Sequence, residues 1–270
     1  MMDAFQIMKW PLFACLLLPP LLVYLGLHVI RREIIFVDLA LAQVAALGSC
    51  VAVLLGHDAH DWQTFGWSLG FTVAGAVVFT LTRTQAHRVP QEALIGIVYV
   101  VAAAAGILLL SRSAHGDEEL RRTLVGEILL VRPGEIAKTF VVFAVIGVAH
   151  YVFRRRFLAL SYGSESPRGA RWWDFLFYLL FGLVVTSFVQ IGGVLLVFSY
   201  LIIPAVCGKF LADSLPVRLL IGWVVATLGS VIGLWASYAG DWPTGAAIVC
   251  ALGMALLLAG AASVFVTRRA

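Results

Sequence analysis

Seven apolar stretches dominate this chain, each long enough to cross a lipid bilayer once: 11–30, 34–56, 65–81, 93–110, 136–153, 219–239 and 244–267. A bilayer core of about 30 Å takes roughly 20 apolar residues of helix. A helix suits such a stretch because it satisfies its own backbone hydrogen bonds where no water can. An eighth stretch, 175–207, holds 33 residues, too many for one crossing, and Gln190, Ile191, Gly192 and Gly193 interrupt it near its middle. Splitting it there predicts an all-α, polytopic transmembrane helical bundle of about nine spans, or eight if the stretch crosses only once. Only 13% of the 270 residues are charged, against roughly 25% in a soluble domain, so a single transmembrane domain over 1–270 is expected.

The basic residues test the split. They are 16 Arg and 3 Lys, grouped between the apolar runs, which is an orientation signal and not a nucleic-acid footprint. With the arginine-rich loop 154–174 taken as cytoplasmic, nine spans put Arg31, Arg32, Arg83, Arg88, the loop's five arginines, Lys209, Arg218, Arg268 and Arg269 inside. That is 13 of the 19 basic residues. With an unbroken eighth stretch, everything after it changes side and the inner count falls to 9. Nine spans, with the N-terminus outside and the C-terminus inside, is the better topology.

Several function classes drop out. The chain has no HExxH, no GxSxG and no GxxxxGK[ST] phosphate loop, so an ATP-driven role requires a separate ATPase subunit, and no enzymatic activity is expected. Cys15, Cys50, Cys207 and Cys250 all fall inside apolar runs without metal-site spacing and read as inert packing thiols. The first apolar run lacks the basic head and cleavage site of a signal peptide and reads as a retained span. The polar segment 111–135 is expected to form a short interfacial helix on the outer side.

Charged residues inside spans are functional candidates, because each costs at least about 2.5–3.5 kcal/mol at the bilayer centre. Asp38 is the foremost. It stands at the head of a long apolar helix, where it could either line a pathway or cap the helix N-terminus. The loop after the second span carries His57, Asp58, His60 and Asp61, borderline-to-hard ligands suited to Zn²⁺ or Mn²⁺, though a plain polar turn would look the same. His28 and His150 near span ends, and His87 and His115 in loops, are expected at interfaces or in solvent.

Five blocks in order give the chain a family likeness. The run Arg31, Arg32, Glu33, Ile34, Ile35, Phe36, Val37, Asp38 through Gln43 resembles the Arg-Arg…Phe-Gly-Asp…Ser-His pattern of permease subunits of the zinc/manganese/iron ABC importers, the ABC-3 type. Glu92, Ala93, Leu94, Ile95 and Gly96 are similar to that family's Asp-Thr-Leu-Ile-Gly, and Gly126, Glu127, Ile128 and Leu129 to its Gly-Asp-Ile-Leu. The block from Gly193 to Ala205 resembles Gly-x-Leu-Leu-Val…Leu-Ile-Ile-Pro-Ala, with Pro204 expected to kink its helix. Asp241, Trp242, Pro243, Thr244 and Gly245 resemble Asp-x-Pro-x-Gly.

The resemblance implies a multi-pass permease of a bacterial inner or plasma membrane. It would import Zn²⁺, Mn²⁺ or Fe²⁺ and bind no cofactor beyond the transported metal. A homodimer of permeases would be driven by a cytoplasmic ABC ATPase and fed by a periplasmic or lipoprotein metal-binding protein, with no nucleic-acid partner. Asp38 then carries over as a pathway residue. The family's His four residues on is replaced by Ala42, and Gln43 is the nearest polar side chain, as though one residue were inserted. The cytoplasmic coupling segment is also shorter than usual, with Ser161, Gly163, Glu165 and Arg168 in its place. A non-transporting membrane scaffold or partner subunit is the alternative these departures favour. An ion-coupled secondary carrier is the other, although only Asp38 supplies the intramembrane carboxylates it would need.

Overall fold

A computed structural model of the chain describes residues 4–57, 61–83, 89–111, 125–126, 128–163 and 169–267. Among the described residues ten α-helices run in order: α1 (Ala4–Leu17), α2 (Pro19–Arg31), α3 (Val37–Leu54), α4 (Trp62–Arg83), α5 (Gln91–Leu110), α6 (Pro133–Val152), α7 (Arg154–Tyr162), α8 (Ala170–Leu211), α9 (Leu215–Gly240) and α10 (Thr244–Thr267). One turn of 3₁₀ helix, Ile128–Leu130, precedes α6. Among the described residues eight helical segments are long and apolar enough to cross a membrane, α1 and α2 joining as the segment Met8–Arg31. The protein is a multi-pass membrane protein of all-α class.

The eighth apolar stretch breaks where expected. α8 has 42 residues, which at 1.5 Å per residue is about 63 Å, twice a bilayer core. Gly193 interrupts it with φ 71° and ψ 168°, a conformation essentially restricted to glycine. Either part is long enough for a crossing of its own, so the eight apolar segments among the described residues have room for nine crossings. Pro204, by contrast, lies within the helical part of α8, and Gly193 is the residue whose torsions leave the helix.

The chain divides into two compact units, one of Met1–Ile30, Val125–Phe143 and Ile191–Ala270, the other of Arg31–Leu124 and Ala144–Gln190. The first is held by backbones that touch. A Cβ on Gly26 of α2 would overlap the Leu201 carbonyl of α8, and one on Gly233 of α9 would overlap Ile248 of α10. Small residues at such crossings are how membrane helices gain close packing without a hydrophobic driving force. Gly126 takes φ 71° and lies against the backbone of Gly192 and Gly193, while a Cβ on Gly245 would come within 2.7 Å of the Val125 carbonyl. Three of the five family-like blocks therefore meet at the Gly193 break, main chain on main chain.

In the second unit α3 packs against both α4 and α5. The crossing with α4 depends on Gly48, where an added Cβ would lie 2.8 Å from the Trp67 carbonyl. Ser68 Oγ donates to the Ala45 carbonyl at 2.9 Å, and the hydroxyls of Thr72 and Thr186 pair at 2.9 Å. Hydroxyls of this kind bond their own helix or a neighbour.

Two expectations need correcting. The loop 154–174 is largely helical: α7 takes up Arg154–Tyr162, and α8 has begun by Ala170. Phe157, fully buried, anchors α7 by stacking on His150 at 4.2 Å and meeting Trp173 and Phe177 edge-on or tilted. His28 and His150 are buried, not interfacial, and both pack on aromatic rings, His28 on Tyr24 at 4.7 Å. The predicted interfacial helix in 111–135, and His87 and His115, lie outside the described residues apart from the ends of that segment.

Candidate functional site

The second unit gathers its charges at one end, where α2 leads into α3, α4 ends, α5 begins and α7 meets α8. Glu33 adopts a left-handed conformation, φ 56°, uncommon for a residue with a Cβ. This turn ends α2 and resets the chain so that α3 begins at Val37, three residues later than the apolar run alone suggests. Arg32, just before it, is turned inward with its side chain 1% exposed, and its guanidinium pairs with Asp174 of α8. Arg83, the last residue of α4, reaches the same carboxylate at 3.0 Å. Arg32 also lies over the Phe177 ring at 4.3 Å. Burial pulls its guanidinium below the ordinary arginine range, while Tyr178 and Asp174 act to hold the charge. Gln91 opens α5 and donates to the Tyr178 hydroxyl at 2.8 Å and the Phe79 carbonyl at 3.1 Å. Arg31 lies 5.7 Å from the ring of Tyr162, the last residue of α7, so the Arg31–Arg32 pair touches both the arginine-rich helix and the turn into α3.

Asp38 sits one turn inside this end. It is 1% exposed, and neither carboxylate oxygen has a hydrogen-bond partner among the described residues. Asp38 is not the N-cap of α3, which is Phe36; it lies in the first turn, two residues on, where the nearest donors are main-chain N–H groups. The acceptor for the orphan N–H comes instead from α5, where Glu92 Oε1 receives the Phe36 N–H at 3.0 Å. A carboxylate buried in this way is costly to keep ionised unless a cation meets it, the alternative being to take up a proton.

The other candidates are dispersed. Gln43 is buried on α3, five residues beyond Asp38, which at about 100° per residue is roughly 140° around the helix; the two do not share a face. Ala42, four residues on, does share it, and α3 runs unbroken through the proposed insertion. His57 closes α3 with its N–H on the Ala52 carbonyl at 3.1 Å, and the Asp61 carbonyl accepts the Phe65 N–H at 3.1 Å as α4 starts. Asp58 and His60 lie outside the described residues, as do Glu165 and Arg168. Ser161 is in the last turn of α7, and Gly163 caps it with its N–H on the Ala159 carbonyl at 3.0 Å. Among the described residues no three His, Cys, Asp or Glu side chains gather as a metal site.

Sequence reasoning missed the triad of Arg32, Arg83 and Asp174 and the role of Glu92. The arginines were visible as topology markers, but nothing local tells that Asp174, 142 residues from Arg32, is their partner.

Residues 4–263 match the ABC 3 transport family. The chain belongs to that family. The ABC 3 chain is 25% identical over 229 residues to the manganese transport system membrane protein MntC of Listeria innocua, covering 83% of this chain and 79% of that one. It is 28% identical over 193 residues to the manganese transport system membrane protein MntB of Synechocystis, 70% of this chain and 60% of that one. Among solved structures, PsaBC of Streptococcus pneumoniae in complex with Fab shares the fold, with a TM-score of 0.77 at 22% identity over 95% of this chain and 93% of that one. The resemblance read from the five blocks is thus borne out for the family, the fold and the multi-pass membrane location.

Proposed function

We propose that this ABC 3 chain is the membrane permease of an importer of a divalent transition metal, with Mn²⁺ foremost, powered by a separate ATPase subunit. The observation that carries the reading is Asp38: a carboxylate buried without a partner in a membrane-spanning helix, within a chain whose family and similar proteins are transport permeases. A cation passing it relieves the cost of its burial. The permease works as a homodimer, receives metal from an external binding protein, and is an energy-coupled conduit with no reaction of its own.

The ATPase docks on the face that carries Arg154, Arg155 and Arg156, which are exposed on α7 and which the positive-inside rule places in the cytoplasm. Phe157 fixes α7 to α6 and α8 through its aromatic contacts, and Tyr162 touches Arg31. A push on α7 is thereby delivered to the turn that sets the head of α3. The His57–Asp61 loop at the opposite end of α3 is a weaker second metal contact.

Reconstitution decides the matter. Proteoliposomes carrying this chain with its cognate ATPase and binding protein should take up ⁵⁴Mn²⁺ only with ATP, and omission of the ATPase should abolish uptake. Uptake that persists without the ATPase and follows an imposed proton gradient would establish a secondary carrier. An assembled complex that hydrolyses ATP yet moves no divalent metal would establish a scaffold.

A further inference from the structure

Glu92 holds two positions at once. One oxygen, Oε1, accepts the Phe36 N–H at 3.0 Å and fixes the carboxylate against the head of α3. The other, Oε2, is buried and has no partner among the described residues. Asp38 contributes two more oxygens with no side-chain partner, from a side chain that is 99% buried, as its 1% exposure requires, and Glu92 is bonded two residues before it at the head of the same helix, against which α5 packs. Three idle carboxylate oxygens on two packed helices repel unless something positive joins them. The N-terminus of α3 offers only about half an elementary charge, and the buried cation of the same end, Arg32, is directed at Asp174, which Arg83 also reaches, with its own Nε and Nη1 unbonded among the described residues.

We infer that Glu92 is a second ligand for the transported ion, forming with Asp38 an oxygen-only pair that selects a hard divalent cation such as Mn²⁺ over Zn²⁺. This rests on the permease reading above. Carboxylates with water suit Mn²⁺, whereas Zn²⁺ favours sites with imidazole or thiolate. No such donor lies on this face of α3, since Ala42 fills the position one turn beyond Asp38. Two carboxylates make a weak site completed by water, which suits an ion that has to leave.

The variant Glu92→Gln separates the readings, because its amide oxygen still accepts the Phe36 N–H while its charge is gone. In proteoliposomes holding the permease–ATPase complex, ⁵⁴Mn²⁺ uptake should fall about tenfold or more, with the melting temperature of the complex unchanged and ⁶⁵Zn²⁺ uptake affected less. Uptake of Mn²⁺ within twofold of wild type would overturn the inference and leave Glu92 as a helix-end acceptor, with the permease reading intact. A wild-type complex that transports neither metal would overturn both. Pulsed electron paramagnetic resonance of Mn²⁺ gives a second test, run on the complex carrying His57→Ala and His60→Ala so that the outer loop supplies no imidazole. Absence of nitrogen coupling is expected, and imidazole nitrogen in the coordination sphere would refute an oxygen-only site.

Discussion

The two units share their means of stability in lipid, close glycine contacts and paired hydroxyls, and differ in what else their interiors hold. In the unit containing Gly126 and Gly193, helices approach until main chains touch, and apart from the His28 imidazole the buried polar side chains are hydroxyls, among them the pairs Tyr200 with Ser230 at 2.6 Å and Ser237 with Thr244 at 2.8 Å. In the unit containing Asp38, the interior holds ions: among the described residues both buried acids, Asp38 and Asp174, belong to it, as does the buried Arg32. One of those acids is paired and the other is not. Close packing of glycines has little reason to exist except cohesion, whereas an unpaired carboxylate lowers stability and has to be explained by what it does. The first unit therefore reads as frame and the second as machinery.

The comparison breaks most easily at Asp174. Asp174→Asn leaves Arg32 buried without its counter-charge, and breaking one side of a buried pair costs about 3–5 kcal/mol. A marked fall in the melting temperature of the detergent-solubilised protein should follow. The double variant with Arg32→Met should recover much of it, because removing both charges relieves the penalty that removing one creates. If the single variant melts like wild type, the triad is not an interior feature of the second unit.

The smaller effect belongs to the frame. Gly126→Ala requires a Cβ at φ 71° and into the Gly192 carbonyl, and should destabilise by about 1–3 kcal/mol. Gly96→Ala, on α5, meets no atom within 4 Å and should lie within about 0.5 kcal/mol of wild type. Equal melting temperatures for the two variants would mean that the glycine contacts at the break are incidental.

Much of this architecture was legible because lipid makes spans long and apolar. The positions of α3 to α6, α9 and α10 follow from hydrophobic runs to within about four residues, since water is absent from the interior and every backbone bond has to be made within the helix. The Gly193 break was readable too, as two adjacent glycines in a stretch too long for one crossing. The site was only half readable. Asp38 stood out because a charge in an apolar run is rare, but its relation to Glu92 and Arg32 is set by helix packing, which leaves no mark on spacing along the chain. Gln43 stands apart from Asp38 for the same reason. Adjacency to Ala42 in sequence places it roughly 140° away from Asp38 around α3, a difference only three dimensions make plain. The arginine-rich segment read as a loop because Arg154, Arg155 and Arg156 are polar, although a single buried aromatic, Phe157, is enough to seat it as a helix.

Asp38→Asn tests the central claim most directly. The substitution preserves size and hydrogen-bonding capacity and removes only the charge, so a structural role for Asp38 should survive it, or even gain stability from the loss of an unpaired buried ion. ATP-driven ⁵⁴Mn²⁺ uptake by the assembled complex should be abolished while the complex still forms, keeps its melting temperature or raises it, and still hydrolyses ATP. Wild-type uptake by the Asp38→Asn complex would contradict the account, because the metal would then pass without the one carboxylate whose burial it is held to explain.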